Sequence, residues 1–215
     1  MFITYLGHSC FKLQDKDVTV ITDPYGPDFG LKPPRLKAEI VTISHDHSDH
    51  NYANSIMGDP LVIKGPGEFE VKGVYINGLA SWHDGQQGKE RGANTIYRFE
   101  MDNVVIVHLG DLGHVLAESM VEQLAGTDVL LVPVGGVASL NAKQAVEVIN
   151  QLEPRIVIPM HYDLPEFKMK VKFDGVDKFC REIGICKTEA VDKLKVVKKE
   201  LPQEKTEVVV MSLVK

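Results

Sequence analysis

The chain opens on short apolar runs broken by turn residues. Residues 2–6, 10–13 and 18–22 are β-prone, separated by Gly7-His8 and Asp15-Lys16-Asp17. An irregular segment follows at 24–35, with Tyr25, Phe29 and Leu31 set among Pro24, Pro27, Pro33 and Pro34. Residues 39–44 read as a buried strand running into a histidine cluster, and 61–63 and 71–76 as further strands. Residues 85–92 form a polar, glycine-rich loop. Residues 95–99 and 104–109 predict a hairpin turning at Met101-Asp102-Asn103.

Helical spacing then appears. Residues 116–124 have the helical period and end near Gly126. A helix over 141–152 has Asn141 as N-cap and Ala145, Val146, Val148, Ile149 and Leu152 as its apolar face, and one over 176–183 is closed by Gly184. Apolar strands are expected at 129–132, 156–158 and 208–213. Strands first, then strands alternating with helices, suit two β-sheets packed face to face with helices outside. No linker or low-complexity stretch divides the chain, so residues 1–215 are expected to form one domain.

The 215 residues, 44% of them hydrophobic, suffice for one substantial core. A net charge of −6 argues against nucleic acid as a partner, and a small molecule is expected instead. The three cysteines, Cys10, Cys180 and Cys186, contain no CxxC pair, and no disulfide framework is expected. No run approaches the roughly 20 apolar residues a membrane helix needs, and the first residues carry no secretory pattern. A cytoplasmic setting is therefore the expectation.

The sharpest chemical signal is His45-x-His47-x-Asp49-His50, three imidazoles and a carboxylate within six residues after an apolar strand. Imidazole and carboxylate suit zinc, with manganese or iron as alternatives. Ligands this dense can turn to two adjacent points, which suits two metal ions. Other segments offer further ligands where a strand enters a loop: Asp111 after 104–109, His161 after 156–158, and His83 after the run from Val74 to Trp82. His108 and His114 compete with His83. His108 sits at odd spacing from Asp111 and should face the other side of its strand, as a structural histidine. His114, in a glycine-bounded loop, is a candidate for contacting substrate. Asp23 and His8 are candidates to orient metal-bound imidazoles through their free N–H groups.

HxHxDH at 45–50, Gly110-Asp111 and the late His161 resemble the metallo-β-lactamase superfamily. Tyr5-Leu6-Gly7-His8-Ser9, Thr22-Asp23-Pro24, His108-Leu109-Gly110-Asp111 and Ile158-Pro159-Met160-His161-Tyr162 are similar to its compact zinc-dependent hydrolase branch, that of the ascorbate-phosphate lactonases. The resemblance covers essentially the whole chain. It implies an α/β fold, a four-layer αββα sandwich. It also implies two divalent ions, zinc foremost: His45, His47 and His83 at the first, Asp49, His50 and His161 at the second, and Asp111 bridging. The usual H-x-x-G-H-T context of the third histidine is replaced here by Ser81-Trp82-His83-Asp84-Gly85.

Such a centre polarises its substrate and lowers the pKa of bound water from 15.7 to about 7. The expected enzyme is a hydrolase acting through a metal-bound hydroxide on an ester, lactone, amide or phosphodiester, with Asp49, Asp111 and His114 as catalytic candidates. Two rivals stand beside it. A di-iron redox enzyme would resemble HxExDH, whereas this chain has His47. A non-catalytic binding module would be expected to lack ligands, and none is evidently missing. The irregular segment 24–35 is read either as ordinary core or as an apolar wall over the metals, formed by Phe29 or Leu31.

Overall fold

The computed structural model describes residues 1–137, 139–168, 171–186 and 189–214. The N-terminal apolar runs form an antiparallel meander of β1 (Phe2–Gly7), β2 (Cys10–Asp15) and β3 (Val18–Thr22). β4 (Lys37–Ile43) and β5 (Met57–Lys64) extend it in parallel with β3. The second sheet begins antiparallel, with β6 (Gly67–Val71), β7 (Val74–Trp82), β8 (Ala93–Met101) and β9 (Val104–His108). It continues in parallel through β10 (Val129–Pro133) and β11 (Ile156–Met160). Two short strands close the far edges: β12 (Leu194–Lys195) beside β1 and β13 (Glu207–Val208) beside β11. The helices are α1 (Glu118–Gln123), α2 (Ala142–Leu152) and α3 (Val176–Ile183).

The period-two alternation of strand side chains sorts the first sheet onto two cores. Val20 and Ile40 join the large core shared with Ile76, Phe99 and Ile106 of the second sheet. Their neighbours Ile21, Val41 and Ile43 turn the other way, into a second cluster closed by Tyr25, Ile56 and Phe167. Among the described residues no α-helix contributes to that cluster. The outer layer there is irregular chain with 3₁₀ turns at Pro27–Phe29 and Ala53–Ser55. β10 and β11 are buried along their whole length, as parallel strands covered on both faces must be. Pro159 is tolerated within β11 because the pairing with β13 ends at Val157.

Asn141 caps α2 as expected, through a reciprocal capping box with Gln144. The run 71–76 is not one strand. Lys72 (φ 50°) and Gly73 (φ 77°) form a two-residue turn, with Val71 paired to Val74. The expected final strand 208–213 is cut to Glu207–Val208. Beyond it the chain leaves the second sheet, and Val214 N–H reaches Tyr5 C=O of the first. Cys180 and Cys186 form a disulfide, contrary to the expectation from the odd cysteine count. Left-handed Gly184 ends α3 and folds the chain back, bringing the two Cα atoms to 5.3 Å. No helix among the described residues is long and apolar enough to cross a membrane.

Candidate metal centre

Strand direction explains why distant residues meet. β1, β3 and β4 run the same way in the first sheet, and β7, β9 and β11 do so in the second. Each delivers a polar residue just past its C-terminal end: His8, Asp23, the run 45–50, His83, Asp111 and His161. His8, Asp23 and His161 hold left-handed backbone (φ 56°, 37° and 51°), a conformation that costs about 1–3 kcal/mol at a non-glycine residue. Tertiary hydrogen bonds hold it in place. His161 N–H donates to His8 C=O at 2.9 Å, and Asp23 N–H donates to Thr42 C=O at 2.9 Å.

Among the described residues three groups of ligand atoms result, each within 4.8 Å: His45, His47 and His83; His8, Asp49, His50 and His161; and Asp23 with His45 and His50. Asp111 Oδ2 lies between the first two of these. It is 3.0 Å from His161 Nε2, 3.3 Å from both His50 Nε2 and His83 Nε2, and 3.8 Å from His45 Nε2. The structure thus puts His83 beside His45 and His47. His108 instead accepts from Gly110 N–H and donates Nε2–H to Ser9 C=O at 2.9 Å, facing away as its spacing predicted. His114 is fixed by backbone: one nitrogen donates to Val115 C=O at 2.7 Å and the other lies 3.4 Å from Trp82 N.

The tautomers follow from Asp23, which is fully buried. Its carboxylate accepts from Ser44 N–H, from Ser44 Oγ–H (2.5 Å) and from His50 Nδ1–H (2.9 Å). Ser44 Oγ, its own proton committed, accepts from His45 Nδ1–H at 2.8 Å. Both imidazoles therefore turn a lone pair on Nε2 toward Asp111 when neutral. Ser44 and Asn94 escaped sequence reasoning. Asn94 accepts from Asp111 N–H and donates to Leu109 C=O and Ser81, which locks the backbone carrying the central carboxylate. An added Cβ at Gly110 (φ 57°) would run into Asn94 and Ser44.

Burial, then the neighbouring His50, pushes His45 down to about 3; burial, then His161, does the same to His8. Burial opposes ionisation of Asp111, but His161 and His50 outweigh it and hold the carboxyl well below its ordinary value; Asp49 is likewise lowered, by His50 and His8. Against burial, Asp111 and Asp49 raise His50 well above the ordinary imidazole range. His45 Nε2 and Asp111 Oδ1 are buried with no hydrogen-bond partner. Buried polar atoms rarely stay unpaired, so this set of imidazoles around carboxylates fits cations lodged among them.

A cleft of about 620 Å³ opens beside His45 and His47, walled by Trp82, Arg91, Lys64 and Pro66. Arg91 sits on the loop after His83, where Asp84 accepts four backbone N–H bonds, from Gln86, Gly88, Glu90 and Arg91. Against the opposing effect of burial, those bonds hold the Asp84 carboxyl below its usual value. On the other side, Phe29 stacks on Phe167 at 5.4 Å and Phe167 on His8 at 4.4 Å.

Two facing sheets with histidines and aspartates gathered at one shared edge define a metal-dependent hydrolase of the metallo-β-lactamase type. The comparisons agree: the profile of the beta-lactamase superfamily domain matches residues 2–161, and the chain belongs to that family. A metal-dependent hydrolase of Staphylothermus marinus is 31% identical, over 75% of this chain and 83% of its own. Another, from Thermococcus onnurineus, is 29% identical over 75% and 84%. A crystal structure from Thermotoga maritima, assigned to the Zn-dependent hydrolases of the metallo-beta-lactamase superfamily, superposes with TM-score 0.77 at 35% identity, covering 98% and 97% of the two chains.

Proposed function

We propose that the protein hydrolyses a small ester, lactone, amide or phosphodiester with two divalent ions, zinc foremost. His45, His47 and His83 would hold the first, Asp49, His50 and His161 the second, and Asp111 both. The observation that carries this reading is the position of Asp111 Oδ2, 3.0–3.8 Å from imidazoles of both groups. Such ions, when bound, polarise the scissile group and supply a water of lowered pKa as nucleophile. Asp49 and Asp111 stay ionised and can accept a hydrogen bond from the attacking water, and Asp111 Oδ1 has no protein partner to compete. The cleft volume suits a small molecule, with Trp82 as an apolar wall. His114, whose ring nitrogens sit against Val115 C=O and Trp82 N, would contact substrate only by giving up one of those backbone partners.

The test is metal analysis of protein reloaded with zinc or manganese, followed by a hydrolysis screen across lactones, thioesters, phosphodiesters and β-lactams. About two ions per chain with turnover of one class is expected. A firm plateau at one ion removes the dinuclear reading. Two ions with no turnover in a broad screen favour a binding module on the same fold.

A further inference from the structure

The fold brings one more imidazole to the same point, outside that ligand set. His8 follows β1, 37 residues before His45, and its side chain is buried. Its Nε2 lies 3.1 Å from His50 Nε2 and 3.1 Å from Asp49 Oδ2. Its ring is 4.2 Å from that of His161. With bonds of about 2.0–2.1 Å, two ligands of one zinc-like ion stand roughly 3.3 Å apart at tetrahedral angles and roughly 2.9 Å apart at right angles. The His8 separations fall between those values. A hydrogen bond to Asp49 accounts for one of them. The approach to His50 Nε2, the atom that Asp23 turns toward the centre, is also of hydrogen-bond length, but one Nε2 has a single proton or lone pair to share, and its equal approach to both groups is the spacing that ligands of one ion share.

The geometry points to His8 as a ligand of the second ion, alongside Asp49, His50, His161 and Asp111, so that protein fills this position while the first stays open to substrate. The inference rests on the dinuclear reading and deepens it. Five protein donors exceed what a tetrahedral ion takes, so the second position suits a five- or six-coordinate ion. The first has three imidazoles and the shared Asp111, one protein donor fewer than the second, so at equal coordination number it has one more place for water or substrate. The cleft agrees with this asymmetry. His45 and His47 line it, and His8, Asp49, His50 and His161 do not. The first ion is thus the one that meets substrate. The second is closed over by Phe167, which stacks on His8, and by Phe173, whose ring meets His161 edge-on at 4.7 Å.

The test uses the full chain, stripped and reloaded with Co²⁺, as wild type, His8→Gln and His8→Ala. Glutamine keeps the bulk and can still donate to Asp49, so it preserves a merely positioning hydrogen bond while removing the imidazole ligand. His8→Gln should bind the first Co²⁺ as wild type does and the second more than about 100-fold more weakly. That exceeds the 10–100-fold typical of losing an outer hydrogen bond. Its visible Co²⁺ absorption should change as the coordination number falls, and free imidazole should restore the wild-type band in His8→Ala. A His8→Gln protein that takes two Co²⁺ with wild-type affinity and spectrum overturns the assignment. Should wild type itself take only one ion, the dinuclear reading fails separately. His8 then stands as a ligand if His8→Gln alters that ion's spectrum, and falls if it does not.

Discussion

Asp23 is fully buried and is not in the HxHxDH run, yet the orientation of two imidazoles depends on it. Oδ2 accepts from His50 Nδ1–H at 2.9 Å and from Ser44 Oγ–H at 2.5 Å, and Ser44 relays the constraint to His45 at 2.8 Å. In Asp23→Asn the amide must place its NH₂ somewhere. Set toward His50 and Ser44, it offers donors to a donor. His50 must then accept at Nδ1 and carry its proton on Nε2, which blocks the metal-facing lone pair. Flipped, the NH₂ opposes Ser44 N–H, which now donates to Asp23 Oδ1 at 2.8 Å. Either arrangement leaves one buried conflict. Outer partners of metal-bound histidines are worth about 10–100-fold in metal affinity, or ~1.4–2.8 kcal/mol. Competition titration against a chelator should show a loss in that range for Asp23→Asn. Ser44→Ala, which breaks only the branch to His45, should lose less. Circular dichroism checks that both variants fold. A folded Asp23→Asn that binds both ions as tightly as wild type would refute this assignment of the tautomers.

His83→Ala should release one ion while His108→Ala, which breaks backbone bonds to Ser9 and Gly110, should keep both and melt earlier; metal content and melting temperature separate them. Metal-free protein should lose stability as pH falls from about 6.5 toward 3. His8 and His45, lowered to about 3, are neutral in the fold and charge readily when unfolded, so the unfolded state binds more protons across that window. Below about 4 the depressed carboxylates Asp111, Asp49 and Asp23 add a loss of the same sign. His50, raised in the fold, works the other way and favours the fold at lower pH. A melting temperature flat between pH 7 and 4 would mean that His50 cancels the lowered imidazoles, which include His47 and His108 as well as His8 and His45, contrary to this expectation. Phe167→Ala should cost about 3–5 kcal/mol and loosen His8, because Phe167 is core as well as cover. Phe29→Ala, half-buried in the same stack, should cost less. Equal melting losses with unchanged metal affinity in both would show that the stack does not support the site.

Much of the site was legible because its ligand types are chemically distinctive and sit at predictable places. HxHxDH after an apolar run, and Asp111, His83 and His161 each at the end of a strand, were all named from local pattern. Asn141 and Gly184 likewise marked helix ends through rules that operate within a few residues. The faces of β3 and β4 follow from alternation alone.

Other features depended on strands far apart in sequence. Whether His83, His108 or His114 joins His45 and His47 is decided by the register of β7, β8 and β9, which turns His108 toward Ser9. The Lys72-Gly73 turn was missed because Val71 and Val74 are apolar on both sides of it, and only their pairing shows a hairpin. The disulfide escaped because Cys180 and Cys186 match no spacing rule until Gly184 reverses the chain. His8 is named from sequence only as a residue that orients a metal-bound imidazole; its approach to Asp49 and His50, and the places of Ser44, Asn94 and Phe167, are tertiary in the same sense. A lone serine, asparagine or phenylalanine carries no local signature. Each takes its role from the parallel strand ends of two sheets meeting at one edge, which no window of sequence contains.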